Sequence, residues 1–142
     1  MGNTDLSVEE IVKLAVAAGR TAAERTPANA FKATEQRLYA LPILREKLAR
    51  DRERLPMLGD VARADLEEVI AADADEVETM ESALAKCAGD PYYQTVTGRY
   101  FERLDDERVA KLLNCETSTV WRNRKRLIWR IAVRLYGVAA VK

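Results

Sequence analysis

The sequence predicts an all-α protein, with a helical N-terminal part followed by a compact C-terminal unit of three helices. Composition points there first. Ala, Leu, Glu and Arg dominate the 142 residues, only four are Pro, and the β-branched runs that build strands are scarce. Second, apolar residues recur at three- and four-residue spacings rather than alternating. Third, helix start and stop signals divide the chain, the clearest being Gly89-Asp90-Pro91.

Ser7 with Glu10 three residues later, flanked by Leu6 and Ile11, has the form of a capping box and predicts a first helix over 7–24. The Thr26-Pro27 step ends it, because a residue before proline is pushed out of the α region. A second helix carries Phe31, Leu38, Leu41, Leu44 and Leu48, and Pro42 inside it predicts a kink or break near Leu41. The dense alternation of charge over 45–54 reads as a solvated face, and Pro56 and Gly59 mark a linker. A further helix over 64–88 has Leu66, Val69, Ile70, Val77, Met80 and Leu84 as its apolar stripe, and the run Asp73-Ala74-Asp75-Glu76 reads as a capping cluster. These features divide the chain into an N-terminal helical region 1–58, a connecting helix 59–89 and a C-terminal domain 90–142.

In the last of these, Gly89 suits a left-handed C′ position, Asp90 an N-cap and Pro91 the first helical position. A supporting helix from 91 to about 102 then presents Tyr92, Val96 and Tyr100 every four residues. Asp105 or Asp106 caps a short helix over 107–113 whose Val109, Ala110, Leu112 and Leu113 face inward, with Ala110 small enough for a close helix crossing. Asn114 tolerates the left-handed conformation a sharp turn needs, and Cys115 plugs that turn from inside. Thr117, Ser118 and Thr119 open a final helix on which Val120, Leu127, Ile131 and Leu135 share one face, bordered by Ile128. The opposite face collects Arg122, Lys125, Arg126 and Trp129, with Thr117, Ser118 and Trp121 at its N-terminal end. Trp129 is expected to pack against the N-terminal part or a second copy of the chain.

The pattern in 105–135 is that of a helix-turn-helix, and the charge distribution points to a polyanion as its partner. The 23 cations and 23 anions of the whole chain cancel, but residues 1–89 hold 12 Lys and Arg against 17 Asp and Glu, whereas 90–142 hold 11 against 6. Thr117, Ser118, Trp121, Arg122, Lys125 and Arg126 are therefore the candidate contacts to double-stranded DNA. Arg122 has the fork that binds guanine bidentately, and the other cations can neutralise phosphates. An enzyme is not expected, because the chain has no His, no Walker-type glycine loop and no nucleophile elbow. No cofactor or metal is expected either. Cys87 and Cys115 lack metal-ligand spacing and are expected to be reduced and packed. No stretch approaches the roughly 18 consecutive apolar residues of a membrane span, and the first ten residues are unlike a signal peptide, so a cytoplasmic location is expected.

Val109-Ala110-Lys111-Leu112-Leu113-Asn114-Cys115 with Ser118-Thr119-Val120 resembles the helix-turn-helix of sigma-factor region four, without a gap. Phe31-Lys32-Ala33-Thr34-Glu35, residues 39–44, Tyr92-Tyr93, Arg99-Tyr100-Phe101 and residues 118–127 resemble the RinA/ArpU-like phage transcriptional regulators, over most of the chain. The resemblance implies a sigma-like reader behind a helical N-terminal part, and a phage or prophage activator of late genes. It also places Thr117, Ser118, Trp121 and Arg122 in the base-reading slots. Trp121 stands where sigma factors carry a charged residue, and Glu116 where a Ser or Thr cap is usual. A dimer is expected, since one recognition helix covers few base pairs, and the N-terminal helices are available for pairing or for host RNA polymerase. The alternatives are a small-terminase-like DNA-packaging subunit and a protein-interaction module that uses the same fold without DNA.

Overall fold

The computed structural model describes residues 27–141, so the expected helix over 7–24 lies outside the described residues. Within them every regular element is helical: α1 Ala30–Arg54, α2 Asp60–Ala85, α3 Gln94–Tyr100, α4 Asp106–Leu113 and α5 Thr117–Tyr136. Short 3₁₀ turns cover Leu55–Met57 and Val138–Val141.

Asn29 caps α1, its side-chain oxygen accepting from the Lys32 N–H at 2.9 Å. The helix then runs through Pro42 without a break, so of the kink or break expected near Leu41 the break does not occur. An interior proline costs a helix about 3 kcal/mol. Leu38, Leu41 and Leu48 are all buried on its two sides, and each is worth roughly 1.5–3 kcal/mol of burial, so packing outweighs the lost backbone bond.

Pro56 and Gly59 do mark the connection to α2, with Pro56 inside the 3₁₀ turn and Gly59 at the N-cap. The expected α2 stripe holds only in its second half. Val77, Met80 and Leu84 are buried, Leu66 and Ile70 are half-buried, and Val69 is exposed, because the first turns of α2 extend beyond the core.

The acidic run of α2, expected as a capping cluster, stands at neither end of that helix. It lies in mid-helix and ties α2 to α1. Arg37 donates to both carboxylate oxygens of Glu76 at 2.8 and 2.6 Å, and Lys47 donates to Asp73 at 2.6 Å. Nor is 45–54 simply a solvated face. Asp51 is buried and accepts from Lys47 at 2.9 Å, and Arg45 pairs with Glu81 at 2.8 Å. Hydrogen bonds to Asp73 and Asp51 hold the Lys47 ammonium above its ordinary pKa. Arg45–Glu81, exposed on both sides, contributes only about 0–1 kcal/mol, whereas Arg37–Glu76 is largely shielded from solvent and fixes the two helices against each other.

At the end of α2, Gly89 is not left-handed as expected; among the described glycines only Gly137, which closes α5, has a positive φ, of 87°. Tight backbone turns close α2 instead, the Cys87 N–H reaching Leu84 O and the Asp90 N–H reaching Cys87 O, both at 2.9 Å. The Asp90 carboxylate accepts from the Tyr92 N–H at 2.9 Å, yet regular helix starts only at Gln94. Residues 91–93 are a turn in which the Thr95 hydroxyl, donating to Tyr92 O at 2.7 Å, occupies a carbonyl that a continuous helix would use.

The main core draws on four helices: Leu38 and Leu41 of α1, Met80 and Leu84 of α2, Val96 and Tyr100 of α3, and Leu127, Ile128 and Ile131 of α5. Tyr100 is fully buried, donates to Glu35 Oε2 at 2.6 Å and meets the Tyr39 ring edge-on at 4.7 Å. Burial, then the bond to Glu35, pushes its hydroxyl far above the ordinary phenol range. The Trp129 ring lies 5.4 Å from that of Phe31, the expected packing against the N-terminal part.

One close approach was not legible. A Cβ on Gly98 of α3 would sit 2.9 Å from Val109 Cγ2 of α4, and a β-branched side chain has little rotamer freedom to withdraw. Gly98→Ala is expected to destabilise the protein by about 1–2 kcal/mol in urea unfolding, despite alanine's better helix propensity. An unchanged or raised midpoint would show that the α3–α4 contact yields easily.

Candidate nucleic-acid interface

The local sequence builds the α4–turn–α5 unit. Asp105, one of the two aspartates offered as the cap, accepts from the Arg108 N–H at 2.9 Å. Asn114 closes α4 in the left-handed region, φ 53° and ψ 51°, as its side chain permits. The next residue's N–H, that of Cys115, returns to Ala110 O at 3.0 Å, which turns the chain into α5. Val109, Ala110 and Val120 form a second, smaller core against which Leu104, Leu113 and Cys115 pack. Cys115 is thus the expected plug, half-buried and without a disulfide. Leu112 does not face inward: it is 58% exposed. At about 100° per residue it lies about 200° around α4 from Ala110, beyond the reach of α5.

Arg124 was missed by the sequence reading. Its guanidinium is buried and forks onto the Asp106 carboxylate, joining α5 to the start of α4. A signal was present, since Arg124 falls on the same face as Val120 and Leu127, where an isolated cation needs a partner.

The structure brings five of the six predicted contacts onto open surface in the first half of α5: Thr117, Ser118, Trp121, Arg122 and Lys125 are all exposed. Glu116 sits at the N-cap without a side-chain bond to the backbone, so no side chain caps the first turn. Lys125 Nζ stands 5.0 Å over the Trp121 ring, a cation–π contact one turn apart. Asn123 Nδ2 donates to Thr119 O at 2.9 Å.

The sixth, Arg126, is exposed but engaged: it forks onto Asp90 at 2.9 and 3.0 Å and also donates to Asn123 Oδ1. Arg130 adds a longer ion pair to Asp90 at 3.7 Å. The hydrogen bond from Arg126, foremost, holds the Asp90 carboxyl below its usual range. A phosphate approaching Arg126 competes with that carboxylate, whereas Arg122 and Lys125 meet no carboxylate among the described ion pairs. Beyond Arg126 the open face narrows to Arg130 and Arg134, as Trp129 turns to Phe31 and Ala132 is fully buried.

This surface can donate hydrogen bonds in forked geometry, exchange them through two hydroxyls, present an apolar ring and neutralise an anion. Among the described residues there is no group of three or more potential metal ligands, and no helix is long and apolar enough to cross a membrane. Comparison with protein-family models, with curated proteins and with solved structures finds no match for the chain.

Proposed function

We propose that the chain is a sequence-specific, double-stranded DNA-binding transcriptional regulator. In this reading α3, α4 and α5 act as a tri-helical, sigma-like helix-turn-helix unit, and the first half of α5 enters the major groove. The observation that carries it is the left-handed Asn114 turn, which sets α4 against an α5 whose open face is polar and cationic just where it leaves the core. The excess of cations in 90–142 supports the same partner. The resemblance to RinA/ArpU-like phage regulators supports the finer reading, an activator of late phage or prophage genes. The few base pairs that one recognition helix covers support binding as a pair of chains, with the N-terminal helices available for pairing or for host RNA polymerase.

Fluorescence anisotropy on duplexes from the DNA flanking its gene, at several salt concentrations, tests this. The wild type should bind one duplex preferentially and lose affinity as salt rises. Arg122→Ala should erase that preference at a cost of about 1–3 kcal/mol, while Lys125→Ala should weaken all duplexes alike and lower the salt slope by about 1. Absence of salt-dependent binding to any duplex would sink the proposal.

A further inference from the structure

The two tryptophans have opposite circumstances. Trp129 packs its ring on Phe31 at the edge of the main core. Trp121 belongs to neither core cluster and is 51% exposed, although it stands on a helix whose neighbouring open positions are Ser118, Arg122 and Lys125. Burying an indole is worth more than burying most side chains, so leaving one in water on a cationic surface gains nothing for the fold. Its one described contact is with the Lys125 ammonium, 5.0 Å from the ring centroid, which covers one ring face and holds the indole along the open side of α5. An apolar ring with a single N–H donor and no acceptor is therefore presented beside the forked donor of Arg122.

In the major groove the four bases differ in what they offer such a group. Cytosine presents an amino donor that opposes the indole N–H, and adenine an acceptor that can take it but an amino donor, not an apolar group, beside it. Guanine presents two acceptors and no apolar group, which matches the Arg122 fork. Thymine alone presents one acceptor, O4, next to a methyl group, and so meets both the N–H and the ring. Resting on the DNA-binding reading above, we propose that Trp121 is a specificity-determining residue that reads thymine through its 5-methyl group and O4, in the same half-site as the guanine taken by Arg122. The sites preferred by this protein then carry thymine and guanine in close succession.

The test selects binding sites from a pool of random duplexes with the wild-type chain, then replaces each thymine of the selected duplex singly by deoxyuridine. That change removes the methyl and leaves base pairing and O4 intact. At one thymine the substitution should weaken wild-type binding about fourfold, the effect of one buried methyl. It should leave Trp121→Ala, which binds the parent duplex more weakly, unaffected. Trp121→Phe should keep the preference for thymine over uracil, since the ring remains. Three results would overturn the assignment while leaving DNA binding in place: no thymine in the selected site, no cost of deoxyuridine at any position, or an equal cost in wild type and Trp121→Ala. Absence of salt-dependent binding to the pool would instead overturn the DNA-binding reading itself. Should Trp121→Ala fail to fold, Trp121→Gln takes its place in the same comparison, since it too lacks the ring.

Discussion

Arg124→Ala is expected to lower stability by about 3 kcal/mol, far more than loss of either neighbouring cation, Arg122 or Lys125. In sequence only helical phase separates these three, Arg124 falling on the face of Val120 and Leu127. In the structure Arg124 is 7% exposed and forks onto Asp106, while Arg122 and Lys125 stand in water. Truncating it leaves the Asp106 carboxylate facing the α4–α5 contact, with only Arg99, 3.9 Å away, as a described partner. Asp106 keeps 27% of its side chain exposed, so the charge left behind is only partly desolvated and the cost falls at the low end of that for a buried pair. Removing both charges avoids that penalty, so Asp106→Ala combined with Arg124→Met should be considerably less destabilised than Arg124→Ala. Urea unfolding of the single and double variants measures the difference. If Arg124→Ala costs no more than Arg122→Ala, the pair contributes nothing to holding α4 on α5.

Leu127→Ala is expected to cost about 3 kcal/mol and to lower Tm by about 10 °C. Leu127 is fully buried in the cluster shared by α1, α2, α3 and α5, so the cavity opens among elements distant in sequence. The consequence reaches beyond α5. Because the α1–α2 pair and the C-terminal helices bury one another, the variant should unfold in one transition. Tryptophan fluorescence, which includes Trp129 against Phe31, should give the same midpoint as helix loss followed by circular dichroism. Two separated transitions, with only one moved by the substitution, would show that the N-terminal helices keep a core of their own.

The positions that were legible in the sequence are those governed by local physics. Asn114 is left-handed and Asp105 caps α4, because a few neighbouring residues decide a turn and a cap. Val120, Leu127, Ile131 and Leu135 are all buried, the first in the smaller core and the others in the main one, because helical periodicity alone places them on one face. Thr117, Ser118, Trp121, Arg122 and Lys125 are open for the same reason, being what remains on the other side.

Elsewhere the outcome depends on what lies opposite. Gly89 had the right residue type for a left-handed cap, but tight backbone turns close α2 without one. Pro42 stays inside α1 because leucines on both sides of it find a core. Asp73 and Glu76 tie α2 to α1, since Lys47 and Arg37 face them. Arg126 is drawn to Asp90, Leu112 is left outside, and Gly98 admits Val109. The sequence by itself determined the all-helical class, the turn that sets α4 against α5 and the face α5 exposes, because these follow from backbone preferences and from a period of about 3.6 residues. Only the tertiary structure decided which charges pair and which stay open, because an ion pair or a close contact needs two groups brought together from distant parts of the chain.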